Sequence, residues 1–248
     1  MTDWQNHALD KLDQVATSSA TEFKAASPFP YLVVDNFLST EIVGGLVQEF
    51  PVDSDPIWEI SDQKDIQVKL RSNWRSEADI RPETQSVVHF LNSGAVMKCF
   101  SKLSGIEKLI SDPYYTGGGL NCTKRHGLLD VHADGNWHHA MGVHRRLNVI
   151  LYLNKVWDPS WGGALELWDE KLTKCVTSID PLFNRLIIFE THDLTYHGHP
   201  TPLMCPPDQS RKSLILYYYT ASPRPKNQIL VERPHRALWR KRQMRELA

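Results

Sequence analysis

Apolar positions change their spacing about halfway along the chain. Up to about Asp112 they recur mostly at helical intervals, and from Tyr114 they come in short runs between turn residues. Residues Trp4 to Ala25 predict a polar amphipathic helix that ends ahead of Ser27-Pro28-Phe29-Pro30. Tyr31-Leu32-Val33-Val34-Asp35 is a short apolar run fit for a strand. Ser39 and Thr40 carry hydroxyls suited to capping a helix, which runs through Leu46 to Phe50 before Pro51. A further helix is predicted over Thr84 to Phe100, where Val87, Val88, Phe90 and Leu91 fall on helical spacing, and a shorter one around Ile106 to Ile110. Asp53 to Glu83 shows little periodicity and reads as a long loop over the core.

The second half predicts strands near Leu128–Ala133, Leu147–Leu153, Ala164–Trp168, Cys175–Ile179, Arg185–Phe189, Thr195–His197 and Ser213–Thr220. Gly117-Gly118-Gly119, Asp158-Pro159-Ser160, Gly162-Gly163, Asp180-Pro181 and Pro206-Pro207-Asp208 separate them. Many short strands without intervening helices point to an antiparallel sandwich or jelly roll. Helices first and strands later make the whole α+β. No repeat or linker divides residues 1–248, so a single domain is expected. Its parts are a mostly helical stretch over 1–112, a jelly-roll core over 113–220 and a basic tail over 221–248.

Composition adds limits more than content. With 248 residues, 41% of them hydrophobic, the chain can bury a core without disulfides or a structural metal, so a metal site here is expected to be functional. A formal net charge of -1 gives no global field for nucleic acid or an anionic membrane, and neither partner is expected. Cys99, Cys122, Cys175 and Cys205 form no C-x-x-C pair, which fits free thiols in a reducing cytoplasm. The start, Met1-Thr2-Asp3-Trp4, lacks the layout of a signal peptide, and no apolar run approaches a membrane span. Charge is uneven only in the tail, where Arg233, Arg236, Arg240, Lys241, Arg242 and Arg245 face Glu232 and Glu246. It reads as a solvated terminal helix packing Leu238 and Trp239 on the body, rather than as a docking segment for a polyanion.

Candidate chemistry begins at His132-Ala133-Asp134. Residues two apart on a strand share a face, so this imidazole and carboxylate can converge on one point. Two histidines and one carboxylate are a ligand set for ferrous iron that leaves positions open for other ligands. The second histidine has to come from a later strand, and His138, His139, His144, His192, His197 and His199 are the candidates. His138 and His139 follow too closely to come from the opposite side of a barrel, and His192 precedes the predicted strand. His197 ends a strand before the Pro-containing turn at Pro200, with His199 on the same face as its main competitor. Arg211 opens the apolar strand that follows; a buried guanidinium there calls for an anion, and it matches a carboxylate with two parallel hydrogen bonds. Arg125, Arg145 and Arg146 read most simply as solvated or paired at strand ends, and Tyr217-Tyr218-Tyr219 as core and sheet surface.

From about Pro30 to Thr220 the chain resembles the 2-oxoglutarate/Fe(II) oxygenase superfamily, in its prolyl-hydroxylase-like branch. Val131-His132-Ala133-Asp134, Trp161 to Trp168, Asn184 to Phe189, Tyr196-His197-Gly198-His199-Pro200 and Arg211-Lys212-Ser213-Leu214 carry the likeness, as does the entry from Tyr31 to Leu38. The resemblance implies a double-stranded β-helix with iron on His132, Asp134 and His197, and it favours His197 over His199. It implies Arg211 as the anchor for the far carboxylate of 2-oxoglutarate, with O₂ as co-substrate and ascorbate as an accessory reductant. The substrate it implies is a prolyl residue, a free amino acid or another small molecule, hydroxylated with release of succinate and CO₂. The tyrosine that often helps hold 2-oxoglutarate in prolyl hydroxylases is missing from Leu120 to His126, and Asn148 and Tyr152 on the next strand are the candidates to replace it. Related halogenases lack the carboxylate, so Asp134 favours oxygenation. The rival expectation is a cupin-like metal-dependent isomerase or a metal-binding barrel without catalysis, neither of which needs Arg211 as an anchor.

Overall fold

In the computed structural model, which describes residues 1–240, helices pack against one outer face of a curled antiparallel sheet. The chain opens with α1 (Asp3–Ser18) and α2 (Ala20–Ala25), then β1 (Tyr31–Val34) and α3 (Thr40–Gln48). A hairpin of β2 (Trp58–Gln63) and β3 (Gln67–Ser72) precedes α4 (Pro82–Leu91) and α5 (Gly94–Ser104). The remaining elements are strands: β4 (Ile110–Ser111), β5 (Gly119–Lys124), β6 (Leu128–Ala133), β7 (Trp137–His138), β8 (Val143–Tyr152), β9 (Leu165–Trp168), β10 (Cys175–Ile179), β11 (Leu186–Glu190), β12 (His197–His199), β13 (Ser210–Thr220) and β14 (Leu238–Trp239).

Side by side, the main strands run β1-β11-β8-β13-β5-β3-β6-β12-β9-β10, every neighbouring pair antiparallel. This is the α+β architecture expected, a double-stranded β-helix with the N-terminal helices laid on it. Alternation on β8, β11 and β13 divides the apolar residues between two layers. Leu147, Val149, Leu151, Leu186, Ile188, Leu214 and Leu216 face the helices, where α5 contributes Val96, Phe100 and Leu103. Each side chain fully buried there stabilises the fold by about 1.5–3 kcal/mol. Ile150, Tyr152, Ile187 and Phe189 turn the other way, toward Leu165 and Leu167 inside the curl.

Several expectations of local structure are corrected. The segment Asp53 to Glu83 is not a long loop, because β2 and β3 form a hairpin within it and β3 inserts between β5 and β6. The predicted helix from Thr84 to Phe100 is two helices; Ser93 accepts a hydrogen bond from the Val96 amide and starts the second one afresh. The stretch from Trp4 to Ala25 is likewise broken at Ser19. Ile106 to Ile110 is not helical, and Ile110 pairs with Tyr219 as a short edge strand. The expected terminal helix is absent over the described part of the tail, where Leu238–Trp239 is a strand on β6. Lys241, Arg242, Arg245 and Glu246 lie outside the described residues. Among the described residues no helix is long and apolar enough to cross a membrane.

Candidate active site

His132 and His197 are direct cross-strand partners on β6 and β12. Asp134 follows the end of β6, and the three side chains meet inside the curl. His132 Nε2 lies 3.4 Å from Asp134 Oδ1, and His197 Nε2 lies 3.6 Å from Asp134 Oδ2. Each ring is turned by its other nitrogen: Nδ1 of His132 donates to the Asp130 carbonyl at 2.9 Å, and Nδ1 of His197 to the Thr195 carbonyl at 3.0 Å. A carbonyl only accepts, so both Nδ1 atoms carry a proton, and Nε2 of each ring, turned toward the carboxylate, is the atom left for a metal. The donor set of two imidazoles and one carboxylate, all buried, fits ferrous iron.

Electrostatics keep the set in its ligating state. Burial alone would raise the Asp134 carboxyl, but the His197 and His132 rings when protonated, together with Arg145, outweigh it and hold the group well below the usual carboxylate range. His197 is pushed down to about 4, chiefly by burial, so its ring is neutral near pH 7. Asn148 donates to Asp134 Oδ2 at 2.5 Å, while its own Oδ1 is buried without a partner. The Phe189 edge packs on His197 with ring centroids 4.9 Å apart, and Trp239 of β14 stacks on His132 at 4.6 Å.

Arg211 lies farther along the same inner wall. Its Nη2 donates to the Tyr152 hydroxyl at 2.6 Å and its Nε to the Gly163 carbonyl at 2.6 Å, and it makes no ion pair among the described residues. A cation this buried without a counter-ion is what a bound carboxylate would relieve. Gly163 has φ 77°, and a Cβ there would come within 2.6 Å of Leu203 Cδ2, so no side chain fits beneath the guanidinium. Tyr152 and Arg211 are thus together, and Asn148 stands apart from them against Asp134. His199 shares the inner face but makes no contact with Asp134 of the kind His197 makes; burial beside Arg211 and Lys69 holds it well below its ordinary value.

Four features escaped the sequence reading. Arg145 is not solvated but paired, near the start of β8 and 3.6 Å from Asp134, with its guanidinium 3.8 Å over the Tyr217 ring. Tyr217 and Tyr219 accordingly face the cavity, and only Tyr218 enters the core, against Phe100. Lys69 of β3 also lies close enough to Asp134 and Arg211 to feel both charges. Last, the segment from Arg224 to Trp239 straps across β6. Asp193 accepts from Arg224, from the amides of Leu230 and Val231, and from His235, while Asn136 bonds the backbone of Val231, Arg233 and His235.

Residues 118–219 match a family model described as the 2OG-Fe(II) oxygenase superfamily. The matched residues hold the His132–Asp134–His197 cluster and Arg211, and make this part of the chain an oxygenase domain of that superfamily. Its members' co-substrate and metal, 2-oxoglutarate and Fe(II), are therefore those of this enzyme, a 2-oxoglutarate-dependent dioxygenase. Among solved structures, the fold is similar to a prolyl hydroxylase from Trichoplax adhaerens in complex with a hypoxia inducible factor peptide fragment (18% identity, 88% of this chain and 94% of that one, TM-score 0.58). It is also similar to a prolyl-4-hydroxylase from Pseudomonas putida (18%, 84% and 98%, TM-score 0.56). A third is the viral collagen prolyl hydroxylase of Paramecium Bursaria Chlorella virus-1 with 2-oxoglutarate (16%, 79% and 98%, TM-score 0.51). No curated protein matches the chain.

Proposed function

We propose that this oxygenase hydroxylates a prolyl group, with Fe(II) on His132, Asp134 and His197 and with 2-oxoglutarate anchored by Arg211 and Tyr152. The observation that carries the ligand assignment is the pair of imidazoles whose Nδ1 atoms are committed to carbonyls, leaving both Nε2 atoms aimed at one carboxylate. The prolyl substrate is supported by the fold likeness to three prolyl hydroxylases, and a free amino acid or small metabolite is the other substrate class for this reading.

Bound iron supplies the coupling between oxidative decarboxylation of 2-oxoglutarate by O₂ and oxidation of a substrate C–H bond. The chain's own residues position and enclose. Asn148 fixes the rotamer of Asp134, and the Asp130 and Thr195 carbonyls fix the two rings. Arg211 is held by Tyr152 and the Gly163 carbonyl before any ligand arrives, so little ordering remains to be done on binding. Trp239 stacks on His132, and Phe189 packs edgewise with His197. Four free thiols, three of them buried, suit a reducing cytoplasm.

The test is anaerobic titration of metal-free protein with Fe(II) and then 2-oxoglutarate, watching for the visible charge-transfer band of a chelated keto acid. The band should appear, and Arg211→Ala should lose it at limiting 2-oxoglutarate. Tight metal binding without a band would sink the oxygenase site and bring forward a metal-dependent isomerase. A prolyl peptide and free proline should then be compared for gain of one oxygen atom, matched to succinate formed.

A further inference from the structure

The hairpin strand β3 sits where the inner wall passes from the Arg211 side to the metal side. Leu70 pairs with Cys122 and Arg71 with Asn121 on β5, which sets Lys69 opposite Thr123. Thr123 in turn pairs with Arg211 on β13. Cross-strand partners share a face, so Lys69, Thr123 and Arg211 form one inward row; at the usual spacing between strands, the Cα atoms of Lys69 and Arg211 are about 10 Å apart. On its other edge β3 pairs with β6, whose His132 pairs with His197. A ligand held by Arg211 at one end and by the His132–Asp134–His197 cluster at the other therefore lies in front of Lys69.

We propose that Lys69 is a second cationic contact for 2-oxoglutarate, binding the keto-acid carboxylate while Arg211 takes the far one. This deepens the site reading given above and rests on it. A dicarboxylate brings two negative charges and Arg211 answers one. Lys69 is free to answer the other, since it makes no side-chain hydrogen bond or ion pair among the described residues, whereas its neighbour Arg71 is already bonded to Glu59. Its surroundings pull it both ways: Arg71 and Arg211 repel the ammonium, and Asp134 attracts it. Thr123, between the two cations, is short enough to leave the space in front of them clear.

The experiment uses the full chain with Fe(II) under anaerobic conditions, and two probes: 2-oxoglutarate, and 2-oxopentanoate, which lacks the far carboxylate. Lys69→Met should raise the dissociation constant, read from the charge-transfer band, about tenfold or more for both probes, and Lys69→Arg should recover most of it. Arg211→Ala should weaken 2-oxoglutarate and leave 2-oxopentanoate nearly unchanged. Metal affinity and thermal midpoint of Lys69→Met should match the parent. A parent band with unaltered affinity in Lys69→Met overturns this proposal alone; if the substrate KM rises instead, Lys69 belongs to the oxidised substrate. A loss confined to 2-oxoglutarate overturns the assignment to the keto-acid end. Absence of the band in the parent overturns the site reading and this proposal with it.

Discussion

Replacing Asp193 with asparagine should loosen the strap and destabilise the enzyme by about 3 kcal/mol. Asp193 is fully buried and takes four hydrogen bonds: Arg224 at 2.8 Å, the Leu230 amide at 2.8 Å, the Val231 amide at 3.0 Å and His235 at 3.1 Å. Asparagine keeps the shape but removes the charge opposite Arg224, which is itself buried. Breaking one partner of a buried pair costs about 3–5 kcal/mol, and release of residues 230–240 into water relieves part of that. An independent route gives a similar size. Burial raises the Asp193 carboxyl, but His235, the two amides and Arg224 outweigh it and bring it to about 2 from an ordinary 3.8. That difference is worth roughly 2–3 kcal/mol. Because the folded value is the lower one, this stability is complete above about pH 4 and is lost as pH falls toward 2. The assay is urea unfolding at several pH values, with hydrogen exchange of the Leu230 and Val231 amides. Asp193→Asn should lose about 100-fold of protection at those amides and show a flatter acid limb. Unchanged protection together with a stability loss below about 0.5 kcal/mol would refute the reasoning.

Further expectations concern the site itself. Asn148→Ala removes the donor to Asp134 Oδ2 and should weaken metal binding about 10–100-fold, measured by Co(II) titration. Arg211→Lys keeps the charge but loses the fork that meets both Tyr152 and the Gly163 carbonyl; 2-oxoglutarate should bind roughly tenfold or more weakly, read from the charge-transfer band. Gly135→Ala would put a Cβ 2.9 Å from the His235 carbonyl oxygen and should deprotect the strap amides as Asp193→Asn does, with the sheet amides unaffected. Burial, with Arg71 and Arg211 nearby, brings Lys69 down to about 8. A base with a lowered value loses its charge as pH rises through 8, so 2-oxoglutarate affinity should fall above that pH, and the fall should be absent in Lys69→Met.

The strands β6, β8, β11 and β13 were legible because each buries apolar residues, and the short apolar runs record that burial directly. The convergence of His132, Asp134 and His197 was legible for a local reason: His132 and Asp134 are two apart, and His197, at the start of β12, pairs with His132. What stayed hidden is polar on its inward side. On β3 the cavity-facing residues are Gln67, Lys69 and Arg71, so a strand lining an active site carries none of the apolar rhythm of a strand lining a core. The Lys-x-Arg spacing at period two was the available signal. Arg145 had a similar signal, a charge between Val143 and Leu147 within an apolar strand. The strap could not be read locally at all, because Asp193 meets residues 31 to 42 positions later, and only the fold brings them together.

The pairing of β1 with β11 has a consequence for biogenesis. Tyr31 meets Phe189, 158 positions downstream. At the usual pace of translation, β1 waits roughly 8 to 30 s for its partner to be made. During that interval an apolar strand edge is open beside helices that can already pack on one another, as α1 does on α5. Such an edge is a template for aberrant pairing with other chains. Recombinant yield should therefore respond more to slower synthesis, lower temperature or a holdase than to substitutions in the mature surface.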